Sequence, residues 1–125
     1  MNVEDIIKLY QLDSLSLILK TYLEKDHRKI HLKGLIGSQD AMVAATICHL
    51  RPQTHLFVLH DREEAFYFQN DLQNLMRDRE VWFFPASYKK AYHFEEVENA
   101  NVLQRAEVLN EINQSQAKDN PNTVI

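Results

Sequence analysis

Residues 30–50 read IHLKGLIGSQDAMVAATICHL, and this stretch decides the predicted fold. The only two glycines of the chain, Gly34 and Gly37, lie within it. An apolar run precedes the glycines and a helical pattern of small residues follows them, which is the order of a strand, a phosphate-type turn and a helix. The stretch therefore predicts a strand over 30–36 and a helix that begins at Ser38.

The turn has the glycine pattern of a nucleotide-binding site but lacks the charged residue that such a site needs. A P-loop needs a lysine directly after its last glycine, to reach the β- and γ-phosphates, and a serine or threonine beside that lysine for Mg²⁺. Ser38 and Gln39 stand in those two positions, and the next basic residue is Arg51, at the far end of the helix. Asp40 falls in the first helical turn, where its carboxylate already interacts favourably with the positive end of the helix dipole. No catalysis is expected here.

Two interpretations of the turn stay open. In the first, backbone N–H groups at the start of the helix bind an anion. In the second, which we favour, this is a plain strand-to-helix turn in which Gly37 allows close approach and Ser38 caps the helix. The residues of this degenerate nucleotide turn, which binds an anion at most, are Gly34, Gly37, Ser38 and Gln39.

The rest of the chain alternates between strand and helix patterns. Continuous apolar runs at 55–60 and 81–84 predict two more buried strands, and residues 124–125 begin a fourth. Helical spacing follows the second and the third strand. This alternation predicts an α/β fold, an open parallel sheet with flanking helices that forms a degenerate P-loop, helicase-like (RecA-like) domain.

Each helix is predicted to bury one side. The helix after 30–36 carries a stripe of small residues: Ala41, Ala44, Ala45 and Cys48. Asp61 and Glu64 form a capping box that opens the next helix. The inward residues of that helix are Ala65, Phe68, Leu72 and Leu75. Those of the last helix, over 98–112, are Val102, Ala106, Leu109 and Ile112.

Two extra helices precede this alternation. Apolar residues recur with helical spacing at positions 3, 6, 7 and 10, and again at 15, 18, 19, 22 and 23. Asp13 or Ser14 caps the second helix. We therefore divide the chain into an N-terminal helical segment, 1–29, and the first part of the α/β domain, 30–125. Because 123–125 resembles the start of a strand, we expect the chain to be a piece of something longer.

Composition indicates a soluble cytoplasmic protein. Hydrophobic residues make up 45% and charged residues 26%, an ordinary globular balance. The net charge of −4 provides no general attraction for nucleic acid. The single cysteine, Cys48, excludes an internal disulfide and fits a reducing compartment. No apolar run approaches the ~20 residues needed to cross a bilayer, so no membrane association is expected.

No catalytic or metal site is predicted. The six histidines and Cys48 have no recognised ligand spacing. No Ser/His/Asp arrangement or nucleophile elbow occurs. The chain itself is therefore expected to be no enzyme and to hold no cofactor.

Residues 82–94, WFFPASYKKAYHF, have the most unusual composition in the chain. They follow the carboxyl end of a predicted strand, where open α/β sheets bind ligands. Aromatic rings interleaved with lysines stack on bases and contact phosphates, which makes this stretch a candidate nucleic-acid contact. Its residues are Tyr88, Lys89, Lys90 and Tyr92. A surface loop with aromatic anchors and solvated lysines is the alternative, favoured by the acidic net charge.

Four segments together resemble the start of the bacterial transcription-repair coupling factors (Mfd): HLKGLIGSQDAMVAA, LFVLHDREEAFYFQNDLQNL, VWFFPASYKKAY and NVLQRAEVLNEI. The resemblance covers residues 31–125. The segments are more distantly similar to the first domain of the excision-repair subunit UvrB, where a true P-loop occupies positions 34–39 and a tyrosine-rich hairpin follows the third strand. The Ser38-Gln39 pair and the short FFPASYKKAY connection depart from UvrB, and both departures favour the coupling factors.

The resemblance implies a function for the whole protein. It would be an ATP-driven double-stranded-DNA translocase that removes stalled RNA polymerase and recruits nucleotide-excision repair through UvrA. Its ATP and Mg²⁺ would belong to a motor far beyond residue 125, and its UvrA-binding surface would lie mainly in an insertion that begins near there. The chain itself would be a UvrB-like, non-catalytic scaffold that contacts the remaining domains of its own protein.

Two other functions compete with this one. The chain could be half of an active P-loop NTPase that receives its lysine from elsewhere. It could also be a module for single-stranded nucleic acid that works through residues 88–94.

Overall fold

A computed structural model describes residues 1–86, 98–118 and 123–125. In these ranges helices predominate and the strands are two residues long. The helices are α1 (Val3–Leu12), α2 (Ser14–Leu23), α3 (Gln39–Leu50), α4 (Arg62–Leu75) and α5 (Glu98–Lys118). The strands are β1 (His55–Leu56), β2 (Val81–Trp82) and β3 (Thr123–Val124).

The short strands form a parallel ladder in the order β1-β3-β2. Thr123 lies opposite both His55 and Val81. Beyond β3, the N–H of Ile125 donates to the carbonyl of Trp82 at 2.8 Å. The last residues of the chain therefore lie between two segments that are distant in sequence.

The prediction of an α/β open parallel sheet, and with it of a RecA-like domain, is wrong. A buried parallel sheet needs strands covered on both faces, but Leu56 is 68% and Val58 is 85% exposed. The predicted first strand, 30–36, joins no ladder among the described residues, and its side chains are exposed. The apolar patterns are present, but β1 and β2 are only two residues long and 30–36 forms no strand, so helices make up most of the described structure.

The core lies between α1, α3, α4 and the strands. The stripe of small residues predicted for α3 is confirmed, since Ala41, Ala45 and Cys48 are completely buried. Small side chains let neighbouring elements approach closely on this side. The Thr46 hydroxyl, also buried, donates to the carbonyl of Met42 at 2.7 Å. The largest core residues from α4 and its end are Phe68, Leu72 and Met76.

The two N-terminal helices are confirmed, with caps that the sequence contains. Asn2 and Asp5 exchange hydrogen bonds of 2.9 Å in a capping box at α1. Asp13 accepts the N–H of Leu15 at 2.9 Å and starts α2. The predicted apolar face of α2 is nevertheless uncovered: Leu15 is 72% and Ile18 51% exposed.

The predicted inner face of α4 is confirmed, and the same helix forms side-chain hydrogen bonds to the start of β2. Ala65, Phe68 and Leu72 are buried. On the same helix, the Gln73 amide accepts the N–H of Val81 at 3.0 Å and donates to the carbonyl of Arg79 at 2.9 Å. Gln69 donates to the carbonyl of Val81 at 2.8 Å. We call Gln69 and Gln73 the glutamine clamp, because their amides hold the start of β2 against α4.

The inner face predicted for α5 is wrong. Val102 is 59% and Leu109 52% exposed, whereas Val108 and Ser115 are buried. The helix is rotated so that a second, more polar stripe faces inward. Among the described residues, no helix is long and apolar enough to span a membrane.

Candidate functional site

Both glycines of the degenerate nucleotide turn have backbone angles that favour glycine. Their φ values are +82° for Gly34 and +59° for Gly37. A Cβ at either position would meet no atom within 4 Å. The expectation that Gly37 allows a close approach is therefore wrong, because backbone conformation alone requires glycine here.

The turn is closed by its own side chains. Gln39 Oε1 accepts the N–H of Ile36 at 2.9 Å, and Asp40 Oδ1 accepts the N–H of Ala41 at 2.7 Å. A phosphate at the start of α3 would need such N–H groups as donors. Two of the donors nearest the turn are thus already occupied by the chain itself.

The prediction that the Ser38 side chain caps α3 is also wrong. Ser38 occupies the N-cap position, but its side chain makes no capping hydrogen bond. The next cation along the chain, Arg51, lies at the other end of α3, about 18 Å away for twelve residues. Its guanidinium is 3.7 Å from Glu24 Oε1 and 3.2 Å from Gln53 Oε1. No lysine or arginine from α3 can replace the missing P-loop lysine.

A cleft of about 450 Å³ opens at the carboxyl ends of the three strands. This volume lies in the range of small-molecule sites. Its walls are mainly apolar and include Phe57, Phe83 and Phe84, and its polar residues are His60, Asp61, Arg62 and Asn101. The predicted 82–94 stretch borders this cleft through residues 83–86.

Aromatic rings and arginines are arranged beside the cleft. Phe66 stacks on Phe83 with a centroid distance of 4.6 Å and an interplanar angle of 14°. The Arg62 guanidinium lies 5.2 Å from the Phe66 ring centre, and Arg105 lies 4.9 Å from that of Phe84. Such pairs are favourable cation–π contacts.

The acidic residue of the cleft works as a helix cap. Asp61 Oδ1 accepts the N–H of Glu64 at 2.8 Å, and Glu64 Oε2 accepts the N–H of His60 at 3.1 Å. The backbone bond from Glu64 is the main cause that lowers the pKa of Asp61, with a further contribution from the nearby His60 ring. The hydrogen bond to the helix therefore favours the ionised form of Asp61.

Of the two predicted sites, the structure describes only the degenerate nucleotide turn. Tyr88, Lys89, Lys90 and Tyr92 lie outside the described residues. The described part of the chain contains no group of three or more His, Cys, Asp and Glu residues that could hold a metal.

The polar cleft residues were missed as site residues by sequence reasoning. Asp61 was recognised only as a cap, and Asn101 gave no signal. They meet because α4 and α5 both begin beside the strand ends, which no local pattern encodes. Comparisons of the chain with models of protein families, with curated proteins and with solved structures gave no match.

Proposed function

We propose that the chain is a non-catalytic scaffold of a transcription-repair coupling factor, the ATP-dependent translocase that displaces stalled RNA polymerase and recruits excision repair through UvrA. The observation that carries this proposal is the turn closed by Gln39 and Asp40. It lacks the lysine and the Mg²⁺ ligand of a working P-loop, and two N–H donors are taken by side chains. The sequence resemblance over 31–125 supports the same assignment.

The exposed helix faces support a scaffold role. Two stripes remain uncovered: Leu15, Ile18 and Tyr22 on α2, and Val102 and Leu109 on α5. Contiguous exposed apolar surface is typical of interaction sites. In a coupling factor, such faces would pack against the remaining domains of the same protein.

Titration calorimetry with ATP–Mg²⁺ tests the non-catalytic part of the proposal. The 125-residue chain is expected to give no heat of binding and no hydrolysis. A P-loop ATPase measured in the same buffer provides the positive control. Micromolar binding that is lost in the Ser38→Asp variant would place ATP at the turn and support the active NTPase instead.

Association with the rest of a coupling factor tests the scaffold part. A bacterial coupling factor that lacks the corresponding N-terminal region is mixed with this chain, and complex formation is followed by sedimentation velocity. Leu15→Asp with Ile18→Asp is expected to abolish the complex. Ser14→Asp with Thr21→Asp, which adds the same charge to polar positions of α2, is the matched control. Absence of any complex with the unmodified chain contradicts the proposal.

The second candidate is a single-stranded nucleic-acid module, favoured by the Arg62–Phe66 and Arg105–Phe84 pairs beside the cleft. Aromatic rings next to guanidinium groups are the usual platform for stacked bases. Fluorescence anisotropy with labelled oligothymidylate measures this function. It requires salt-sensitive binding that falls when Lys89 and Lys90 become Ala. Absence of binding at low salt removes it.

A further inference from the structure

The cleft at the carboxyl ends of the strands has aromatic walls that are held in place by the core. Phe57 contacts the buried Phe68 with a centroid distance of 5.3 Å. Phe83 is itself buried and stacks on Phe66 at 4.6 Å. Ile125, which follows the middle strand and also lines the cleft, is buried as well. Walls that are fixed before a ligand arrives lose little conformational freedom when it binds. They therefore suit a flat, apolar ligand body.

Two arginines at the cleft have no partner of opposite charge in the described part of the chain. Arg62 lines the cleft, and Arg105 lies one helical turn after Asn101, which lines it too. Within the described residues, neither guanidinium forms a salt bridge or donates a hydrogen bond. Each lies instead against an aromatic ring, that of Phe66 at 5.2 Å and that of Phe84 at 4.9 Å. Their N–H groups are therefore free to bind an anion.

From these observations we infer that the cleft binds a small aromatic carboxylate. The ring of the ligand packs against Phe57, Phe83 and Phe84, and its carboxylate accepts hydrogen bonds from the Arg62 guanidinium. A guanidinium and a carboxylate pair through two parallel N–H···O bonds, which fixes the direction of the ligand as well as its charge. This inference rests on the cleft and does not depend on the proposed function.

The other charges at the cleft select a ligand with one negative charge. Asp61 also lines the cleft, and its carboxylate repels a doubly charged phosphate more strongly than a singly charged carboxylate. A cationic ligand is disfavoured for a different reason. Guanidinium groups already lie against the rings of Phe66 and Phe84, so a further cation there would be repelled.

Nuclear magnetic resonance titration of the isotope-labelled 125-residue chain tests the inference. The probe is β-naphthoate, and β-naphthamide is its neutral counterpart of nearly the same shape. We expect naphthoate to shift the amide signals of the cleft residues 57–62 and 83–84. It should bind about tenfold more tightly than naphthamide, because hydrogen bonds to a charged acceptor are stronger than those to a neutral one.

Replacement of the arginine provides the decisive variants. Arg62→Met keeps the apolar stem of the side chain and removes the charge, so the preference for naphthoate should disappear. Retained naphthamide binding by this variant would show that the cleft is intact. Arg62→Lys should restore part of the preference. Arg28→Met, the same substitution at an exposed position outside the cleft, should keep all of it.

Five results would overturn the inference. They are the absence of shifts at the cleft residues, equal affinity of the unmodified chain for both probes, and an undiminished preference in Arg62→Met. The fourth is tighter binding of β-naphthyl phosphate than of naphthoate, which would make the site one for phosphate. The fifth is displacement of naphthoate by oligothymidylate, which would assign the rings and arginines to nucleic acid.

Discussion

The glutamine clamp offers a sharp test of how α4 holds the strand ladder. In Gln73→Ala, the N–H of Val81 and the carbonyl of Arg79 both lose their partners. Val81 is only 3% exposed, so water replaces the lost acceptor poorly. A hydrogen bond contributes about 0.5–1.5 kcal/mol, and a buried unsatisfied donor costs about 1–3 kcal/mol. The higher helix propensity of alanine offsets about a few tenths of a kcal/mol of this destabilisation.

We therefore expect Gln73→Ala to lower the free energy of unfolding by about 2 kcal/mol. Urea denaturation followed by far-ultraviolet circular dichroism measures this as a lower midpoint with an unchanged slope. Gln114→Ala, the same substitution at an exposed position of α5, should change the free energy by less than about 0.5 kcal/mol. If the two variants unfold at the same midpoint, the clamp contributes nothing and the reasoning is refuted.

A second variant separates the two hydrogen bonds of Gln73. Gln73→Glu keeps an acceptor for the N–H of Val81 but replaces the donor that faces the carbonyl of Arg79. Its stability should fall between those of the unmodified chain and Gln73→Ala at neutral pH. A stability below that of Gln73→Ala would show that repulsion between two acceptors outweighs the retained bond.

Three further predictions concern the core, the turn and the α4 cap. Leu72→Ala, at a fully buried position, should cost about 2–5 kcal/mol in urea denaturation. Gly37→Ala should cost about 1–2 kcal/mol from backbone strain alone, whereas Gly37→Asn should cost less; equal melting temperatures for both would contradict the positive φ. Because the folded pKa of Asp61 is lowered, its stabilisation is complete above the ordinary carboxyl pKa and is lost as the pH falls through the lower folded value. The gap between the unfolding midpoints of the unmodified chain and Asp61→Asn should therefore be constant at neutral pH and shrink as the pH is lowered below the ordinary carboxyl pKa of 3.8.

Local signals predicted the features that are fixed within a few residues. Asp13 was one of two candidate caps of α2, and the bond from the N–H of Glu64 to Asp61 followed from the capping-box pattern, because these bonds span at most three residues. The second bond of the predicted box differs, since Glu64 Oε2 accepts the N–H of His60 in place of that of Asp61. The buried stripe of α3 followed from the helical spacing of small residues. The glycines of the turn were found, although their role is conformational and not one of close approach.

The candidate cleft could not be predicted in the same way. Its walls come from β1, α4, the end of β2, α5 and Ile125, so it forms only when distant segments meet. Its one sequence signal was the unusual composition of 82–94, a stretch that includes Phe83 and Phe84. Asn101 belongs to the site solely because α5 begins beside the strand ends.

The sequence by itself determined which segments are helical, the caps at Asp13 and Asp61, and the absence from the turn at 34–39 of the lysine and the Mg²⁺ ligand of a P-loop. Those properties depend on neighbours along the chain. Only the tertiary structure decided that 30–36 joins no strand ladder among the described residues and that Val108, in place of Val102, faces inward on α5. A strand exists only when another backbone satisfies its hydrogen bonds, and an apolar side chain is buried only where another element covers it. Both conditions are set by segments far away in the chain.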